Sequence, residues 1–184
     1  MSKISKLAAL ALAMLAVTDS AKADHEGKAY QTRTVAGWNV AVNNNSVCTM
    51  TSDFAYKPGI KSALVMAVSD NRKIIQFAPM RSDWNLPDGA QYEVKIGVDQ
   101  RWQGRGLAKV TAGNMFTVLV PISEDLVLAV IKGGKLRIET DRTILTYGLN
   151  GTELALPELL RCAVAVEQSA NPFAGASSKP ATPF

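Results

Sequence analysis

Short runs of alternating apolar and polar residues, cut by turn-forming residues, recur along most of this chain. They leave little room for any architecture but antiparallel β. The pattern is clearest at Gln91–Val98. There Tyr92, Val94, Ile96 and Val98 would share one face, and Gln91, Glu93 and Lys95 the other. Successive side chains leave a strand on opposite faces, so this period describes a strand with one face buried and one in water.

The same reasoning predicts further strands. Trp38–Val42 alternates, Asn43-Asn44-Asn45-Ser46 turns the chain, and alternation resumes at 47–51. Apolar runs at 62–69 and 73–77 flank Asp70-Asn71-Arg72, a second hairpin. A loop at 79–88 carries Trp84 and the turn signal Pro87-Asp88-Gly89. Strands at 101–110 and 115–120 flank Thr111-Ala112-Gly113-Asn114, and Gly104 and Gly106 mark the first of them as an edge or bulged strand.

At 123–132 the period changes. Ser123 is an N-cap, and Glu124 and Asp125 sit where the helix dipole favours negative charge. Gly133-Gly134 ends this helix. Two strands follow at 135–140 and 143–149, then Asn150-Gly151 breaks the chain and a second helix runs to about Gln168. Pro157 fits that helix only in or near its first turn. Eight or nine strands and two short helices, one of them C-terminal, predict a mainly β domain over 37–168. Its architecture is an antiparallel β-sandwich or a partly open barrel.

The ends read differently. Residues 1–23 run from a basic start at Lys3 and Lys6, through an apolar stretch at 7–17, to Ala21-Lys22-Ala23. That is the layout of a secretory signal peptide. The apolar stretch falls short of the ~20 residues of an ordinary membrane span. Residues 24–36 read as a flexible lead-in. Residues 169–184, rich in Ala, Ser and Pro, read as a disordered tail. Lys3, Lys6, Lys22 and Asp19 lie in the signal, so half of the formal charge of +4 leaves with it. The remaining excess gives no case for nucleic acid as a partner. The expected location is periplasmic or secreted, with no transmembrane segment once the signal is removed.

Cys48 and Cys162 are the only cysteines. In an exported chain two cysteines favour a disulfide. It would close most of the domain into one loop, worth roughly 5 kcal/mol in the chain-entropy model. The alternative is a pair of buried thiols.

Composition removes much chemistry. The single His, His25, lies in the lead-in, so neither a two-His metal site nor a Ser-His-Asp triad can form within the domain. No P-loop, nucleophile elbow, zinc-protease or EF-hand pattern occurs. No cofactor, metal or catalytic residue is expected. A carboxylate pair drawn from Asp83, Asp88, Asp99, Glu139 or Asp141 would need those turn residues to converge. Arg101, Arg105 and Lys109 recur along one strand beside Trp102. Trp84, Trp102 and Arg105 are therefore the candidate ligand-binding residues, against the plainer reading of charged edge protection and packed tryptophans.

Gly37-Trp38-Asn39-Val40, Cys48-Thr49-Met50, Phe77-Ala78-Pro79, Leu86-Pro87-Asp88-Gly89-Ala90-Gln91-Tyr92-Glu93-Val94, Val120-Pro121-Ile122 and Leu149-Asn150-Gly151-Thr152 occur in one order. In that order the chain resembles the invasion-associated locus B family of small exported α-proteobacterial proteins. It departs from the family's pattern at Val42 and at 114–118, where cysteines are common, so no disulfide scheme is carried over. The resemblance implies a binding or interaction role at the envelope or host interface and supplies no catalytic residues. The expected function is an exported, non-enzymatic binding protein. The alternative is a periplasmic inhibitor of a hydrolase such as a protease or lysozyme.

Overall fold

The computed structural model describes residues 30–69 and 72–170. The signal peptide, His25, Asp70-Asn71 and nearly all of the tail lie outside these residues.

Ten strands form one antiparallel sheet. They are β1 (Arg33–Val35), β2 (Trp38–Val42), β3 (Cys48–Lys57), β4 (Ile60–Ser69), β5 (Ile74–Arg81), β6 (Gln91–Val98), β7 (Trp102–Ala112), β8 (Met115–Pro121), β9 (Lys135–Glu139) and β10 (Ile144–Gly148). Two helices complete the fold, α1 (Glu124–Lys132) and α2 (Thr152–Ala170). The strand order is β1-β2-β3-β4-β5-β8-β7-β6-β9-β10.

The sheet is continuous and curls into a half-barrel, the second of the two expected architectures. Its curl is visible in one contact. Tyr147 on β10 meets Phe54 on β3 edge-on at 5.2 Å, and Phe54 in turn meets Trp38 at 6.3 Å. The inner face carries the core: Trp38, Val40, Met50, Leu64, Met66, Phe77, Val94, Ile96, Val118, Leu136 and Ile138 are all buried. Each such side chain contributes about 1.5–3 kcal/mol through burial. The helices fill the concavity, α2 against β1–β4 and α1 against β6, β7 and α2.

Local chemistry explains the elements. Asn43 Oδ1 accepts from the backbone N–H of Asn45 and Val47, which folds the β2–β3 turn. Ser123 Oγ accepts from Leu126 N–H at 3.2 Å and caps α1 as expected. α1 ends where the backbone turns extended at Gly133, and nothing larger than glycine fits there. A Cβ there would sit 2.3 Å from Val98 Cγ1 and 2.5 Å from the Ala129 carbonyl.

Three expectations are corrected. Arg33–Val35, placed in the flexible lead-in, pairs with β2 as the edge strand β1. The strand expected at 73–77 continues through Pro79 to Arg81. Proline has no N–H for a ladder. The β5–β8 pairing accordingly stops at Phe77↔Val118 and resumes at Met80↔Met115. Pro157 lies inside α2, beyond its first turn, and the helix runs on to Ala170, past the expected end near Gln168.

Cys48 and Cys162 form a disulfide with their Cα atoms 5.9 Å apart. It joins the start of β3 to the middle of α2.

Candidate functional site

The pleat of β7 separates two of the residues proposed to act together. Trp102 opens the strand on its inner face, half-buried, with its ring laid across Gly104. A Cβ on Gly104 would lie 2.8 Å from the Trp102 ring. Gln103, Arg105, Leu107 and Lys109 project outward from the same strand and are exposed.

Trp84 is elsewhere again, in the β5–β6 loop. It stacks on Phe116 with ring centroids 5.5 Å apart. The Arg81 guanidinium lies 5.3 Å from the Trp84 ring and 3.8 Å from that of Tyr56. Arg81 Nε donates to Asp83 Oδ1 at 3.0 Å. That hydrogen bond holds the Asp83 carboxyl below the usual carboxylate range. Trp84 thus belongs to a packed aromatic–guanidinium cluster, and the structure does not gather Trp84, Trp102 and Arg105 into one site.

What Arg105 does join is a charged row on the outer face. β6 lies between β7 and β9, and the registers set Arg105 opposite Lys95 and Lys95 opposite Glu139. In the next row Gln103, Gly97 and Arg137 align in the same way. Glu139 links the rows. Its Oε1 lies 3.6 Å from Lys95 Nζ, and its Oε2 accepts from Arg137 Nη2 at 2.9 Å. The Arg137 hydrogen bond, then the charge of Lys95, holds the Glu139 carboxyl low.

Gly97 brings no side chain, so the face dips there. The depression has a volume of about 600 Å³ and is lined by Lys95, Gln103, Arg105, Arg137 and Glu139 among others. A second, of about 570 Å³, lies on the other side of Lys95 and Arg105 and adds Glu93, Leu107 and Asp141. Like charges opposite one another across strands are destabilising. Arg105 nonetheless faces Lys95 and has no ion-pair or hydrogen-bond partner among the described residues.

Of the carboxylates considered for catalysis, Asp83 is engaged by Arg81, Asp99 and Glu139 border the first depression, and Glu139 and Asp141 border the second. Asp99 Oδ2 accepts from Gly134 N–H at 2.7 Å and its Oδ1 from Lys135 N–H at 3.1 Å. Asp99 therefore ties the β6–β7 turn to the start of β9. Among the described residues no group of three or more His, Cys, Asp or Glu gathers as a metal site.

One polar cluster was invisible to sequence reading. Glu158 on α2 has a side chain only 5% exposed. The Tyr30 hydroxyl donates to its Oε1 at 2.7 Å, Arg33 Nη1 lies 3.5 Å from that oxygen, and Arg161 Nη2 lies 2.7 Å from Oε2. Burial, then the bond to Glu158, pushes the Tyr30 phenol up to about 12. Only the spacing of Glu158 and Arg161 on one helix face could have hinted at it. The partners on the N-terminal segment could not be foreseen.

No protein-family model and no curated protein matches the chain. Among solved structures it is similar to invasion associated protein b from Bartonella henselae. The TM-score is 0.51 at 16% sequence identity, covering 72% of this chain and 97% of the other. The two share a fold, in keeping with the distant resemblance read from the residues. Among the described residues no helix is long and apolar enough to cross a membrane.

Proposed function

We propose that the chain is an exported, non-enzymatic protein that binds a partner at the bacterial envelope or host interface. The observation that carries this reading is the outer face of β6, β7 and β9, where charged side chains surround a shallow depression and Arg105 is left without a partner among the described residues. Asp83 and Asp99, two of the five carboxylates weighed for catalysis, are engaged by Arg81 and by backbone amides. The Cys48–Cys162 disulfide suits an oxidising compartment and so supports export. The fold shared with a protein described as invasion associated supports the same setting.

The test is cross-linking in intact cells that produce the tagged chain, followed by fractionation. The expected result is one dominant partner recovered reproducibly from the envelope or medium, with the chain beginning at Asp24. A chain retained in the cytoplasm, or no reproducible partner across growth conditions, sinks the reading.

A further inference from the structure

The reading above leaves the partner's chemistry open, and the outer face narrows it. We propose that the face centred on Arg105, Leu107 and Leu119 docks a protein surface that presents a carboxylate beside an aliphatic side chain. This rests on the binding role proposed above.

The apolar half of the argument is a pair of leucines. Leu107 is 50% and Leu119 53% exposed. The register that sets Ala108 opposite Val118 brings them side by side on the outer face of β7 and β8. A single exposed leucine is ordinary. Two adjacent ones beside an arginine make an apolar spot with a charged rim, the layout of an interface, whose buried centre is more apolar than its surroundings.

The polar half is uncompensated charge. Lys95, Arg105, Lys109, Lys135 and Arg137 project outward from β6, β7 and β9, against Glu93 and Glu139 on the strands and Asp99 and Asp141 at the edges of the depressions. Glu139 is already shared between Lys95 and Arg137. A carboxylate arriving at Arg105 can take two parallel N–H bonds from the guanidinium. It also relieves the repulsion between Arg105 and Lys95.

The same face disfavours the other occupants. No aromatic side chain lines either depression, and Trp102 lies on the opposite face, so sugar rings and nucleobases have nothing to stack on. Glu93, Glu139 and Asp141 are interspersed among the cations, so the face offers a single anionic foothold at Arg105 and not the continuous positive field that an anionic lipid surface needs. A second copy of the chain would oppose one positive face to another.

The test pans a random displayed peptide library against the immobilised full chain and measures the selected peptides in solution. The expected peptides pair Asp or Glu with Leu, Ile or Val. Arg105→Glu and Leu119→Glu should each weaken them about tenfold or more, and Arg105→Lys should retain part of the affinity. Thr51→Glu, on the outer face of β3, should leave binding unchanged, and all variants should keep a cooperative melt, with Arg105→Glu no less stable than the wild type. Peptides without acidic residues, peptides indifferent to Arg105→Glu, or no selected peptide at all overturn the proposal. Arg105-dependent binding of phosphatidylglycerol vesicles or heparin overturns it too, in favour of a lipid or glycan. If the panning fails while cross-linking in cells still recovers a partner, this face is wrong and the binding role stands.

Discussion

The seat of α2 and the outer face of β6–β9 both carry charged side chains and use them in opposite ways. At the seat, Glu158 is nearly sealed from water and three groups converge on it, from Tyr30, Arg33 and Arg161. On the outer face, Arg105 stands exposed beside a like charge with no described partner. A buried charge must be paired because desolvation is costly, whereas an exposed one can remain unpaired at little cost. Charge at the seat therefore fixes where the N-terminal segment lies on α2. Charge on the face is free to meet another molecule.

The sharpest way to separate the two regions is to remove the covalent link at the seat. The double substitution Cys48→Ala and Cys162→Ala should lower stability by about 2–5 kcal/mol, read as a shift in the denaturation midpoint. Peptide binding by the fraction that remains folded should be unchanged. A loss of binding in that fraction would couple the two regions and break the distinction.

Glu158→Ala should come next, at about 1–3 kcal/mol, because it strands the Tyr30 hydroxyl while Arg33 and Arg161 keep access to water. The N-terminal segment should become protease-sensitive ahead of the sheet. A mild destabilisation with no such sensitivity would show that Glu158 does not hold the segment.

The smallest effect concerns alkaline pH. Tyr30 titrates near 12 in the folded chain against an ordinary value of 10. The folded state therefore holds that proton more tightly than the unfolded one. Its contribution to stability is complete below pH 10 and is lost as pH rises towards 12. Tyr30→Phe should flatten this part of the stability profile, measured by denaturant melts. Tyr147, raised by burial, should leave a residual slope. An unchanged profile in Tyr30→Phe would remove Tyr30 from the account.

Much of the fold was legible because strand period and turn chemistry are local. Gln91–Val98 was read with its bounds and faces, α1 with its cap, and the cysteine pair as a bond. The errors have physical causes. β1 is three residues long and is held by β2, so no periodicity could announce it. Pro79 sits in an interior strand because one ladder simply skips it. The candidate site was legible one strand at a time only. Arg105 was singled out, but the Arg137 and Glu139 beside it come from β9, brought next to β6 by a strand order that sequence proximity does not reveal. Pairing Trp102 with Arg105 overlooked the strand's own alternation, since residues three apart leave opposite faces.

The disulfide also decides how the molecule would carry tension. A pull between Tyr30 and the end of α2 would travel along β1 and β2 to Cys48, across the sulfurs, and out through the last turns of the helix. β1 and β2 could peel away under such a load. Everything between Cys48 and Cys162 lies inside a covalently closed loop and stays out of the load path, β6, β7 and the leucine–arginine face included. A protein built this way can be tugged at its ends while the surface it presents is left undisturbed.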